Sequence, residues 1–198
     1  IYVQAVNLTA KLLAERAISD SEKHLRSVLD SLFAFVGVLS PDGTLLQANR
    51  DDEHSYTEII DVMRSNCENF MDDARQLWRR LVFNHMITNV DDHLQNIGFL
   101  YSGNNQWRLA PAFDLNPFPD KESESKTWLS EDSGPITSIQ QLLGQAARFE
   151  LSQPQAQSIV EEVASAVKRW KDVAISTEVG LQPHELNDFK PAFESHIK

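Results

Sequence analysis

Apolar residues recur along this chain with two different periods, and the switches between them divide it into elements. Leu25, Val28, Leu29 and Leu32 stand at helical spacing behind Ser19-Asp20-Ser21-Glu22, a Ser-x-x-Glu capping box, and predict a helix from Asp20 to Phe33. In FVGVLSPDGTLLQAN the period shortens. Two β-rich runs there flank Ser40-Pro41-Asp42-Gly43, the composition of a tight turn, and predict a hairpin. The polar stretch RDDEHS, residues 50–55, interrupts the pattern and marks a candidate boundary. Beyond it Tyr56, Ile59, Ile60 and Met63 define a short amphipathic helix. A longer helix is predicted from Met71 to Thr88, with Leu77, Trp78, Leu81, Val82 and His85 on or near one face. Asp72 and Asp73 fall in its first turn, where the helix dipole favours anions.

That helix delivers the polar stretch NVDDHLQN, residues 89–96. IGFLY and WRLAPAF then read as two strands joined by the turn residues SGNNQ, with the second strand ending at Asp114. After the loop NPFPDKESESK the chain turns helical from residue 137 to 197. A second capping box, Ser152 and Gln155, precedes Ala156, Ile159, Val160, Val163, Val167 and Trp170. Trp78, Trp107 and Trp170 are expected in the core and Trp128, in a polar loop, as an exposed contact. The pattern as a whole predicts an α+β chain, mainly α, without internal repeats.

Composition narrows the function classes. With 198 residues and 41% hydrophobic content the chain can bury a core. Its formal net charge of -11 argues against nucleic-acid binding, which needs a basic surface. No run is long and apolar enough for a membrane span, and the opening lacks the form of a signal peptide. The lone Cys67 rules out an internal disulfide, so a reducing, cytoplasmic location is expected. Ile1 rather than Met opens the sequence, which points to a piece of something longer.

The chemistry concentrates at the end of the long helix. Phosphoryl transfer asks for a carboxylate to orient the attacking hydroxyl and for oxygen ligands to magnesium. Protein kinases meet this with an Asp, an Asn five positions on, and a second Asp after a short strand pair. Asp91, Asn96 and Asp114 have that order and that first spacing, and the predicted hairpin would return Asp114 towards Asn96.

A family resemblance rests on several elements together: FNHMITN, DDHLQN, WRLAPAFDLNP, ARFELSQPQA and VKRWKDVA. In combination they resemble the carboxyl-terminal catalytic lobe of HipA-type serine/threonine kinases, the toxins of bacterial toxin–antitoxin modules, over residues 51–198. The resemblance implies a kinase-like lobe with a β-hairpin. It implies that Asp91 is the base, with His93 supporting the loop in the catalytic set, and that Asn96 and Asp114 bind the cofactor as magnesium ligands. Mg2+ and ATP are the implied cofactors, a protein Ser or Thr the substrate, and a HipB-type antitoxin a partner. Gln95 departs from the family, which often has a basic residue there. The seven glycines form no Gly-rich phosphate loop, so the lobe is expected to be incomplete. HLRSVLDSLFAFVGVLSPDGTLLQANR resembles the start of a PAS sensor domain over residues 20–50, which gives a division into 1–50 and 51–198.

Two other readings remain. The lobe could be a catalytically inactive binding module or pseudokinase. A transition-metal hydrolase would use His85, Asp91, Asp92, His93 and Asp114, but His85 and His93 lack the i, i+4 spacing that puts two imidazoles on one helical face.

Overall fold

The structure, a computed structural model, describes residues 37–39, 45–48, 55–119 and 124–196, the first two stretches as strand backbone. The predicted helix at 20–33 and the turn Ser40–Gly43 lie outside the described residues. All described residues fall in the compact unit Ala34–Lys198.

The fold is α+β and mainly helical, built around one long helix. Helix α1 (Tyr56–Asn66) is started by a capping box: Ser55 N–H donates to Glu58 Oε2 at 2.6 Å, and Glu58 N–H donates to Ser55 Oγ at 3.4 Å. Its apolar face, Tyr56, Ile59, Ile60 and Met63, is buried as the spacing predicts. Helix α2 (Phe70–Met86) buries Leu77, Trp78, Leu81 and Val82. Side chains of that size each contribute roughly 1.5–3 kcal/mol on burial. Trp78 meets Phe149 edge-on, with ring centroids 5.2 Å apart. Asp73, in the first turn of α2, is buried and takes the Arg108 guanidinium, with Nε 3.2 Å from Oδ2.

Four short strands form one sheet in the order β2-β1-β3-β4, with β1 Gly37–Leu39, β2 Leu45–Ala48, β3 Gly98–Gly103 and β4 Gln106–Leu109. β1 is antiparallel to β2 and parallel to β3. The hairpin ahead of residue 50 therefore shares a sheet with the hairpin that follows the NVDDHLQN loop. Asn104 and Asn105 join β3 to β4 with positive φ of 50° and 57°, a backbone that Asn tolerates better than most residues and that matches strand twist.

The second strand ends earlier than expected, at Leu109 rather than Asp114. Ala110 N–H still donates to Gly98 O at 2.8 Å, but Pro111 has no N–H to continue the ladder. A further pair, β5 (Trp128–Ser130) and β6 (Gly134–Pro135), lies where the pattern reads as loop. Helices α3 (Ile139–Gly144), α4 (Gln153–Val167), α5 (Trp170–Ala174) and α6 (Leu186–Glu194) complete the chain. The Ser152 N–H donates to Gln155 Oε1 at 2.9 Å, and α4 buries Ala156, Ile159, Val160, Val163 and Val167 as predicted. Trp128 is 53% exposed, whereas Trp78, Trp107 and Trp170 are buried.

Candidate functional site

Helix α2 stops at Met86, and Thr88 then takes a left-handed turn, φ 55°, that sends the chain back across the helix end. Asn89 N–H donates to Asn84 O at 2.8 Å, which fixes the departure of the loop. A single 3-10 turn, Leu94–Asn96, leads from this loop into β3.

Two adjacent aspartates in the loop have opposite surroundings. Asp92 is buried, and donors surround its carboxylate: Tyr56 Oη at 2.9 Å, Ser125 Oγ at 2.6 Å and Lys126 N at 2.8 Å. The Asp92 carbonyl accepts from Thr127 Oγ1 at 2.7 Å. Burial raises the pKa of Asp92, and these hydrogen bonds oppose the rise. The Tyr56 phenol is pushed well above its ordinary value, by burial first and the Asp92 charge second. Asp92 thus clasps the loop to α1 and to the segment entering β5. Nothing local in the sequence signals Tyr56, Ser125 or Thr127 as its partners, because they lie 33 to 36 residues away.

Asp91 is half-exposed, and His93 Nε2 lies 2.9 Å from its Oδ1. The Nδ2 of Asn96 donates to the Asp91 carbonyl at 3.0 Å. Three of the four expected site residues are therefore joined to one another. Asp114 is not bonded to them. It is exposed, holds a left-handed φ of 55°, and accepts from Asn116 Nδ2 at 2.7 Å. Its neighbours Ala112 and Leu115 nevertheless border the same small cavity as His93 and Asn96.

The imidazoles and carboxylates of the hydrolase reading do not converge. Among the described residues no group of three or more His, Cys, Asp or Glu is arranged to hold a metal ion. The Asp92 carboxylate is taken up by its donors, and His85 packs against His196 instead, with ring centroids 4.3 Å apart. Burial, with the second imidazole adding to it, depresses the His85 pKa to about 4. Cys67 is buried and its thiol pushed up to about 12, chiefly by burial, so it is no nucleophile. Among the described residues no helix is long and apolar enough to cross a membrane.

Residues 34–170 match a protein-family model described as HipA-like C-terminal domain. Over 76 residues the chain is 30% identical to a Haemophilus influenzae protein named "Putative kinase", a match covering 37% of this chain and 22% of that relative. The chain thus matches about a fifth of the relative's length.

Proposed function

Because the chain belongs to the HipA-like C-terminal domain family, we propose that it is the catalytic lobe of a serine/threonine protein kinase, with the Asp91–Asn96 loop and Asp114 as its phosphoryl-transfer site. The observation that carries this reading is the orientation of Asn96. Its amide nitrogen is spent on the Asp91 carbonyl, which leaves Oδ1 without a protein donor among the described residues and available as a hard oxygen ligand. Asp114 offers carboxylate oxygens of the same chemistry. An amide oxygen and a carboxylate suit Mg2+, and these two residues would hold it.

His93 holds one carboxylate oxygen of Asp91 and leaves the other for the hydroxyl of a Ser or Thr substrate. Asp91 would orient that hydroxyl and accept the proton it gives up. When bound, magnesium and ATP supply the phosphoryl group and the charge neutralisation of its transfer. The clasp on Asp92 keeps Asp91 and Asn96 in register. The same reading makes a HipB-type antitoxin a partner.

The test separates binding from turnover. Mg·ATP affinity is measured by calorimetry, and γ-phosphoryl transfer to protein is followed with labelled ATP. Asp91→Asn should retain nucleotide affinity and lower transfer by about 10²–10⁴-fold. Asn96→Ala and Asp114→Ala should lose the magnesium-dependent part of the affinity. Affinity without any transfer would favour a non-catalytic binding module or a lobe that lacks its nucleotide cover, and absence of both would refute the proposal.

A further inference from the structure

Thr88 holds a backbone conformation that its own side chain opposes. Ile87 is the C-cap of α2, so Thr88 takes the next position, where the left-handed residue that ends many helices is usually Gly and sometimes Asn. Among the described residues Thr88 is the only β-branched one with a positive φ. A residue of that shape keeps such a backbone only where its surroundings over-determine it. What Thr adds over Gly here is a hydroxyl, and the bonds of that hydroxyl show what holds it.

Thr88 reaches two distant parts of the chain. Its Oγ1 donates to Ala192 O at 2.9 Å and lies 3.3 Å from Ser195 Oγ. Ala192 is in the last turn of α6, where helix carbonyls have no partner along the helix, and Ser195 is the C-cap of α6. The Thr88 carbonyl accepts from Phe118 N–H at 3.2 Å. Asp91 follows Thr88 by three residues, and Asp114 precedes Phe118 by four. The two aspartates are not bonded to each other, and this backbone hydrogen bond joins the segments that carry them.

We propose that Thr88 is a positioning residue that sets Asp91 and Asp114 in register, with α6 as the strut that holds it. The Ala192 and Ser195 contacts keep Thr88 left-handed, and the left-handed turn aims its carbonyl at Phe118. Released from α6, Thr88 relaxes towards negative φ, the carbonyl changes direction, and the Asp114 segment loses its tie to the loop. Control of the proposed magnesium site then lies partly in the carboxyl-terminal helix, which supplies none of the residues assigned to that site. The role in phosphoryl transfer rests on the kinase reading, whereas the joint itself rests on these bonds alone.

The joint is tested by amide hydrogen exchange on the whole chain without nucleotide, read by NMR at Phe118, with Leu81 within α2 as the reference for global opening. Thr88→Val keeps the branched shape and drops the hydroxyl, and should speed exchange at Phe118 about fivefold or more relative to Leu81. Thr88→Ser keeps the hydroxyl and should restore the native rate. Thr88→Ala, which also lacks the hydroxyl, serves if the valine chain does not fold. An unchanged Phe118 rate, or a rise shared equally by Leu81, would overturn the joint. Mg·ATP titration then tests the positioning role: the magnesium-dependent part of the affinity should fall about tenfold in Thr88→Val and recover in Thr88→Ser. Affinity unchanged in Thr88→Val would overturn that role. A native chain that binds no Mg·ATP would sink the kinase reading instead, and the exchange rates would still decide the joint.

Discussion

His85 shows how one residue converts burial into a pH response. It sits at the end of α2 against His196, and burial makes protonation there unfavourable enough to bring its pKa to about 4. Between that value and the ordinary 6.5 the unfolded chain binds a proton that the folded chain does not. Stability therefore rises with pH across this window and is lost as pH falls through it, by up to about 3 kcal/mol. Asp92 and Glu124 border the same cavity as His85, and the net direction of its shift is downward. The expected outcome is that the urea midpoint of the native sequence falls markedly from pH 7 to pH 5, and that His85→Gln flattens the fall. An equal fall in both proteins would show that other groups carry the acid response. The sequence places His85 on an apolar helix face, which gives its burial; its partner, 111 positions away, has no local signature.

Among elements, those with local causes were legible in the sequence and those with distant partners were not. Helices α1, α2 and α4 follow from three- and four-residue spacing, and the Ser152–Gln155 box marks the start of α4 because capping is a three-residue interaction. The parallel pairing of β1 with β3 joins segments about 60 residues apart, and no periodicity encodes it. The pattern overstates the extent of β4 because an apolar run, WRLAPAF, masks the proline that ends its ladder. In the same way the loop displayed Asp91, His93 and Asn96 at a recognisable spacing but gave no sign of what holds it in place. That hold is the Asp92 clasp between α1, the loop and the strand β5. Replacing Asp92 by Ala strands the Lys126 N–H and weakens the anchoring of Tyr56 and Ser125, at a cost of about 2 kcal/mol. Asp91→Asn, at a half-exposed position, should change stability by no more than about 0.5 kcal/mol. Urea unfolding of the two variants tests the contrast, and equal destabilisation would remove the distinction between a structural and a chemical aspartate.

At the scale of the whole molecule, the acidic balance and the ion pairs make opposite claims about salt. The pairs seen on the surface, Arg64 with Asp61 and Glu150, Arg148 with Asp61, and Arg79 with Glu162, join side chains that are largely exposed. Exposed pairs of this kind contribute about 0–1 kcal/mol each and lose most of it to screening. Against them stands a formal net charge of -11 on a chain of 198 residues, whose carboxylates repel one another more in the folded state than in the expanded one. Raising the ionic strength from about 0.01 M to about 0.15 M shortens the Debye length from about 30 Å to about 8 Å. Over the dimensions of a domain this suppresses the long-range repulsion, while contacts near 3 Å are screened less. The repulsive sum should therefore dominate, and Tm should rise by a few degrees over this range in calorimetric scans at pH 7. A fall in Tm would mean that the arginine pairs outweigh the net charge. Repeating the scans with Arg148→Gln would show whether Asp61, which takes both Arg64 and Arg148, is the centre of that network.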